Sequence, residues 1–423
     1  MLKTFWRKIG IVVRDRGLSR KIFFILGAFA AFRLLAAIPV PGADITRLAA
    51  FFADSQIFAI LNLFSGGGLS ALSVVALGVG PYITASIILQ LGTMMFPRLK
   101  EMYHEEGQAG RRKFAQYARV ATVPIAALQG VSLVKLLESQ GVLPGMTGAD
   151  LLLSVLAMVA GSVLLMWIGE LISEFGAGNG VSVLIFAGIV AGLPSSFAQL
   201  EFAYDPSQLP SYIGFAVISL IAVAGVVAVT EAERPIPIAH ARQVLGGNGA
   251  APTFLPIRVN QAGVMPVIFA LSILLLPQLA SQYLSVRPEA WAVAIGQFAT
   301  TFMANQLYYG IVYFLLVVLF TFFYTAVTFE PDTIAKNLQR QGAFVPGVRP
   351  GEATAEHIGK IVTRTTAIGA IFLGAIAVLP LIGQYATGIQ AVTVGGTSLL
   401  IVVNVVTDLI KKFDGQITMR EYR

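Results

Sequence analysis

The 423-residue sequence contains no cysteine, only three histidines, and charge on just 12% of its residues. Without cysteine there is no disulfide, no thiolate metal site and no thiol nucleophile. Charge at about half the usual quarter excludes an ordinary soluble globule. Intrinsic disorder is excluded as well, because it needs low hydrophobicity and high net charge. His104, His240 and His357 all lie in polar stretches between apolar runs. His104-Glu105-Glu106 lacks the second histidine, four residues on, that a zinc-protease helix requires, and neither a G-x-S-x-G elbow nor a P-loop occurs. With no catalytic base and no nucleotide site, the chain reads as a non-enzyme that needs no cofactor or metal.

What is abundant is apolar length. Hydrophobic residues make up 56% of the chain, a further 42 residues are glycine, and the mean hydropathy is +0.77. A bilayer-crossing helix takes about 20 mostly apolar residues. Ten runs qualify: 22–38, 74–96, 114–137, 151–172, 181–193, 213–230, 262–279, 307–329, 361–382 and 392–410, of which the fifth is short and the second interrupted. Met1 to Lys21 is basic and broken up, and the apolar run after it continues to full span length, so no cleavable signal peptide is read there.

The basic residues orient these spans. Of the 29 Lys and Arg, 25 fall in or beside the N-terminus, the links after spans two, six and eight, and the C-terminus. Arg47, Lys135 and Arg287 fall on the other side, and Arg33 lies within span one, about five residues from its end and near enough to snorkel. The positive-inside rule then makes both termini cytoplasmic, which agrees with an even number of spans. Five spans per half, residues 1–200 and 201–423, require the second half to be inverted relative to the first, an arrangement that puts a working site at their interface near mid-membrane.

Helix breakers mark irregular backbone, which at membrane depth must line protein or water. The stretch 62–72 carries Gly66, Gly67 and Gly68 and runs into Gly78-Val-Gly-Pro81. Pro81 suits the first turn of a helix, so the second span reads as a short re-entrant piece followed by a true helix. An ordinary extracytoplasmic loop is the alternative. Breaks of the same kind are expected at 176–180 and at Gly395-Gly-Thr397, a kink at Pro266, and close helix packing at the Gly188/Gly192 spacing. The membrane centre is nearly free of charge, which weakens an ion-coupled transporter reading, although Asn404, Gln90 and unwound backbone leave it open.

Several segments together resemble the SecY family, the central subunit of the bacterial protein-conducting channel. They are Ile38-Pro-Val-Pro-Gly42, 62–67 with 76–83, Gly178-Asn-Gly180 with 185–194, Asn260-Gln-Ala-Gly-Val-Met-Pro266, 342–351 and 395–401, in family order over nearly the whole chain. The resemblance implies an all-α polytopic membrane protein, its ten transmembrane helices in two inverted pseudo-symmetric halves that form an hourglass channel with a plug and a lateral gate. By residue, the pore ring would be Ile83, Ile87, Val181, Ile185, Ile268 and Ile401. The plug would be Asn62, Leu63, Phe64, Ser65, Gly66, Gly67, Gly68, Leu69, Ser70, Ala71 and Leu72. Ile83/Ile87 and Val181/Ile185 are i, i+4 pairs, so each pair shares one helix face. The lateral gate would lie between spans two and seven, with Asn260 bonded to Thr93 or Gln90 when shut.

Two long cytoplasmic loops, 231–261 and 330–360, carry Arg242, Arg258 and Arg349 as the implied docking residues for the SecA motor and the ribosome. Val345-Pro-Gly-Val-Arg-Pro-Gly351 reads as a rigid turn presenting Arg349. The resemblance further implies SecE and SecG as small membrane subunits, signal sequences and unfolded secretory or membrane polypeptides as clients, surrounding membrane lipids, and the bacterial plasma (inner) membrane as location.

Overall fold

The computed structural model of the chain describes residues 15–40, 62, 65–69, 71–139, 141–143, 147–176, 178–202, 209–240, 253–285, 294, 296–298, 301–302, 305–387 and 390–421. Each of the ten apolar runs falls on a helix. In chain order these are α1 (Arg16–Ala36), α2 (Gly80–Met95), α4 (Gly107–Ser139), α5 (Gly148–Phe175), α6 (Gly180–Phe202), α7 (Leu209–Glu231), α8 (Met265–Ser285), α9 (Gln306–Thr328), α11 (Glu352–Thr387) and α12 (Gln390–Glu421). Short helices α3 (Pro97–His104) and α10 (Pro331–Arg340) lie between them. Among the described residues, five helical stretches are long and apolar enough to cross a membrane: Gly107–Glu138, Gly148–Phe175, Tyr212–Glu231, Gln306–Arg340 and Glu352–Gly383. Two shorter apolar pieces, Gly180–Gly192 and Met265–Leu274, belong to α6 and α8.

Local chemistry sets the ends. Asp15 caps α1 by accepting from the amides of Gly17 and Leu18 at 2.7 and 3.2 Å. Thr147 and Asp150 form a reciprocal capping box at α5, and Asn305 caps α9. Each cap satisfies amides that have no partner inside their helix. α2 begins at Gly80 with Pro81 in its first turn, after a run of turns over 71–79, as the glycines and the proline foretell.

Two expected breaks fall elsewhere. Pro266 kinks nothing, because α8 starts at Met265 and the missing proline amide sits in the first turn, where no intrahelical bond is due. α12 runs unbroken through residues 395–397. Glycine there weakens the helix by about 1 kcal/mol relative to alanine without clashing, and an unwound turn in lipid would forfeit several bonds.

The expectation of an all-α chain needs a second correction. The loops 231–261 and 330–360 form a three-stranded antiparallel sheet in the order β2-β1-β3, with β1 at Glu233–His240, β2 at Thr253–Arg258 and β3 at Ala343–Phe344. Pro235 stands opposite Pro256. Opposed residues in an antiparallel pair exchange both bonds or neither, and two prolines can exchange none, so Pro235 and its same-parity neighbour Pro237 occupy non-bonded positions. Ile236 and Ile257 of the sheet bury against Val345, Ile358 and Val362 in a small apolar core that joins both loops to the start of α11.

The N-terminal-half helices pack on one another, notably α2 on α4 and α4 on α5, as do α9 and α11 in the other half. Residues 1–200 and 201–423 touch along two seams: α8 against α2 and α4, and α12 against α6. Close approach fixes one position sharply, since a Cβ on Gly161 of α5 would overlap the Val74 carbonyl and approach its side chain to 2.9 Å. Gly161→Val is expected to lower stability by about 2 kcal/mol or more. Gly214→Ala in α7, where nothing lies within 4 Å, should be neutral or slightly stabilising. Thermal unfolding of the detergent-solubilised variants checks the pair.

Candidate functional site

The six aliphatic residues assigned to the ring occupy one apolar cluster. Ile83, Ile87, Ile185, Ile268 and Ile401 are each 6% exposed or less, and half-buried Val181 packs against the same cluster. They come from α2, α6, α8 and α12, which together with α4 are the five helices that form these seams. The start of α6 is held from both sides. Ser173 accepts from the Gly180 amide at 2.8 Å, and Asn179 Oδ1 accepts from Val181 and Ser182 at 3.1 and 3.4 Å. That anchoring fixes which helix face Val181 and Ile185 present. Apolar side chains at a constriction disfavour a water column and offer no polar partner to an ion.

Beside this cluster sits the glycine-rich segment. Leu63, Phe64 and Ser70 lie outside the described residues; the rest of 62–72 forms a compact knot. Ser65 Oγ donates to the Asn62 carbonyl at 3.1 Å and accepts from the Leu69 amide at 2.9 Å. The Gly67 amide also bonds the Asn62 carbonyl, and the Ser73 amide bonds that of Gly68 at 2.7 Å. Gly66 and Gly67 have φ of +63° and +83°, which only glycine adopts without strain.

The knot is tied into the helices. Val40 donates to the Leu72 carbonyl and Val74 to that of Ile38, so the end of α1 pairs with the stretch after the knot. Leu72 itself is held at φ +39°, a strained value for a leucine. Leu69 and Leu72 pack not on the six aliphatic residues but on Leu133, Val134 and Leu137 of α4 and Met158 of α5, whereas Val75 and Val79 just beyond join the six. Gly188 serves the knot too, because a Cβ on Gly66 would lie 3.1 Å from its Cα. Arg33, read from sequence as a snorkelling residue, instead donates from Nη1 to the Gly66 carbonyl at 3.0 Å.

At the α2–α8 seam the expected bond is not formed. Asn260 is buried, but its carboxamide closes on its own turn, donating to the Gly263 carbonyl at 3.3 Å and accepting from the Gly263 amide at 3.0 Å. Gly263 has φ +63°. An asparagine preceding such a turn satisfies itself locally before it can reach across a helix seam. Thr93 donates to the Gln90 carbonyl one turn back at 2.7 Å. Gln90 Oε1 is buried with no partner among the described residues.

The turn at 345–351 is built as its sequence suggests. Val348 donates to the Val345 carbonyl at 3.1 Å across Pro346-Gly347, with Gly347 at φ +83°. That is a type II turn with proline at its second position and glycine at its third. Val345 is buried in the small apolar core beneath the sheet, and Thr354 Oγ1 donates to the Arg349 carbonyl at 2.8 Å. Arg349 is exposed and has no acidic partner among the described residues. Arg258 is half-exposed and loosely paired with Glu233 at 3.4 Å, and Arg242 lies outside the described residues.

The unpaired Gln90 gives a direct prediction. Gln90→Met removes a buried acceptor that makes no bond and is expected to raise stability by about 1 kcal/mol. Thermal unfolding reads it, and a loss of similar size would show that Gln90 has a partner in the membrane.

The family model for SecY matches residues 73–410. Protein translocase subunit SecY of Mycobacterium tuberculosis (strain H37Rv) is 40% identical over 434 residues, covering 97% of each chain. That of Thermus thermophilus is 39% identical, covering 100% of this chain and 97% of the relative. A solved SecY structure, described as one whose plug domain stabilises the closed translocation channel and maintains a membrane seal, aligns with a TM-score of 0.66 at 20% identity, covering 95% of this chain and 93% of the other. This chain therefore belongs to the SecY family.

Proposed function

We propose that the chain is a protein-conducting channel. Through it unfolded secretory polypeptides cross the bacterial plasma membrane, and from it membrane segments leave sideways between α2 and α8. In this reading ten transmembrane helices form two inverted halves, 1–200 and 201–423, with both termini cytoplasmic. The waist is Ile83, Ile87, Val181, Ile185, Ile268 and Ile401, and residues 62–72 are the plug. The observation that carries it is that all six aliphatic side chains lie in one large buried apolar cluster, which draws on helices from both sides of residue 200. Such a collar binds no polypeptide side chain in particular, so it can part around many and close again. The family's translocase members also decide against the alternative of an ion-coupled solute transporter.

Energy has to come from partners, since the chain carries no nucleotide-binding motif. SecE and SecG would be its membrane neighbours, and SecA or a translating ribosome would dock on the cytoplasmic loops. Arg349 is the principal docking residue, and Arg242 and Arg258 are further docking residues. The type II turn and the small apolar core beneath it hold the guanidinium outward, which cuts the ordering cost of binding an acidic or phosphate surface. A signal sequence, with its apolar core of roughly 7 to 15 residues, is the natural ligand for the α2–α8 seam.

Two measurements test the reading. Ile268→Asn or Ile401→Asn is expected to wet the constriction, giving resting ion conductance in planar bilayers where the native complex is tight. Impermeable variants with normal export would overturn the ring. Arg349→Glu is expected to reduce SecA-driven export at least about tenfold, the loss of one charge-assisted contact and its replacement by repulsion. Membrane insertion and unfolding temperature should stay unchanged, and normal export by that variant would refute the docking role.

A further inference from the structure

Arg33 is a basic residue inside the first span, near its extracytoplasmic end in the proposed topology, on the side where Lys and Arg are scarce. A cation there is costly unless it has a task. No carboxylate neutralises it among the described residues, and its one hydrogen bond there goes to a backbone oxygen, that of Gly66 at 3.0 Å. Its neighbour Phe32, 4% exposed, closes on the same glycine, since a Cβ on Gly66 would overlap the Phe32 ring. On the next residue, a Cβ on Gly67 would lie 3.5 Å from Arg33 Nη1. Two adjacent side chains of α1 thus grip the left-handed turn of the glycine knot, one by shape and one by charge.

We propose that Arg33 is the positioning residue of the plug: its guanidinium holds the Gly66 carbonyl and so keeps the glycine knot seated while no polypeptide is present. The inference rests on the plug reading above and adds to it the group that sets how firmly the plug is held. A backbone carbonyl is a fitting partner for such a latch. It binds a guanidinium more weakly than a carboxylate would, so the hold is reversible. Once the knot leaves, water and the carbonyls of a threading chain can take up the same donors, and opening strands no buried charge. The strained Leu72, at φ +39°, lies at the end of the held segment and is released when the latch lets go.

The test is resting ion flux through the purified translocase complex in proteoliposomes, with no client present. Arg33→Ala should raise the flux by about ten- to a hundredfold, the equilibrium weight of one hydrogen bond to a charged group. Arg33→Lys, which keeps a cationic donor, should recover most of the seal, with assembly and unfolding temperature unchanged in both. Gly66→Ala, which presses the knot off Phe32 without touching the charge, should leak as Arg33→Ala does. If Arg33→Ala does not assemble, Arg33→Gln, with a neutral donor on a shorter stem, carries the comparison and is also expected to leak. Deletion of residues 62–72 is the reference. If the deletion leaks while the Arg33 variants are as tight as the native complex, the latch is overturned and the plug stands. If the deletion is itself tight, the plug reading fails and the latch with it.

Discussion

Backbone that leaves helical geometry within a bilayer has no water to bond, so every free amide and carbonyl must find a partner in the protein. In the proposed channel residues 65–69 and 71–79 live under that constraint, and bonds to neighbouring groups answer it at several points. Ser65 substitutes for a turn of helix, the end of α1 lends the Val40 amide and the Ile38 carbonyl, and Arg33 supplies a donor to Gly66. Satisfaction through single bonds to neighbours, rather than through a continuous ladder, makes a segment that is stable where it sits yet separable from what it touches. A helix of the same length could not be lifted away one bond at a time.

The same economy shapes the middle of the molecule. Six aliphatic side chains from four helices share one large apolar cluster, and none of the six carries a polar group that would prefer one guest over another. In the channel we propose, selectivity moves out of the constriction, to the α2–α8 seam and to the turn at Arg349. The small core of Ile236, Ile257, Val345, Ile358 and Val362 matters for this reason, because a docking residue on a slack loop would transmit little to the helices. Here the loop is continuous with α11, so a load on Arg349 is borne by a helix that packs along α9.

Much of this was legible in the sequence because lipid enforces simple rules. Apolar length located the helices, Pro81 located the start of α2, and glycine spacing located the knot. The strands of the three-stranded sheet were not legible. Glu233-Arg-Pro-Ile-Pro-Ile-Ala-His240 carries two prolines, which argue against a strand unless one knows that both take non-bonded positions opposite Pro256 and Phe254. Pro266 and Gly395-Gly-Thr397 show the reverse error, in which a breaker residue is read without its context. Asn260 has the depth to meet Thr93, but sequence depth does not reveal that Gly263, at φ +63°, bends the chain back onto it. Arg33 did carry a signal, a cation within an apolar span, though its partner on the glycine knot is a product of the fold.

The most direct test of the channel is to ask what a polypeptide touches on its way through. A secretory chain stalled midway can be trapped with a photoactivatable residue placed at position 83, 268 or 401, with one at Ile221, an exposed position on α7 outside the apolar cluster, as the outward control. The account predicts that all three inner positions crosslink to the same short stretch of the stalled chain while the control does not. Crosslinks from the control alone, or from the three to lipid only, would contradict it.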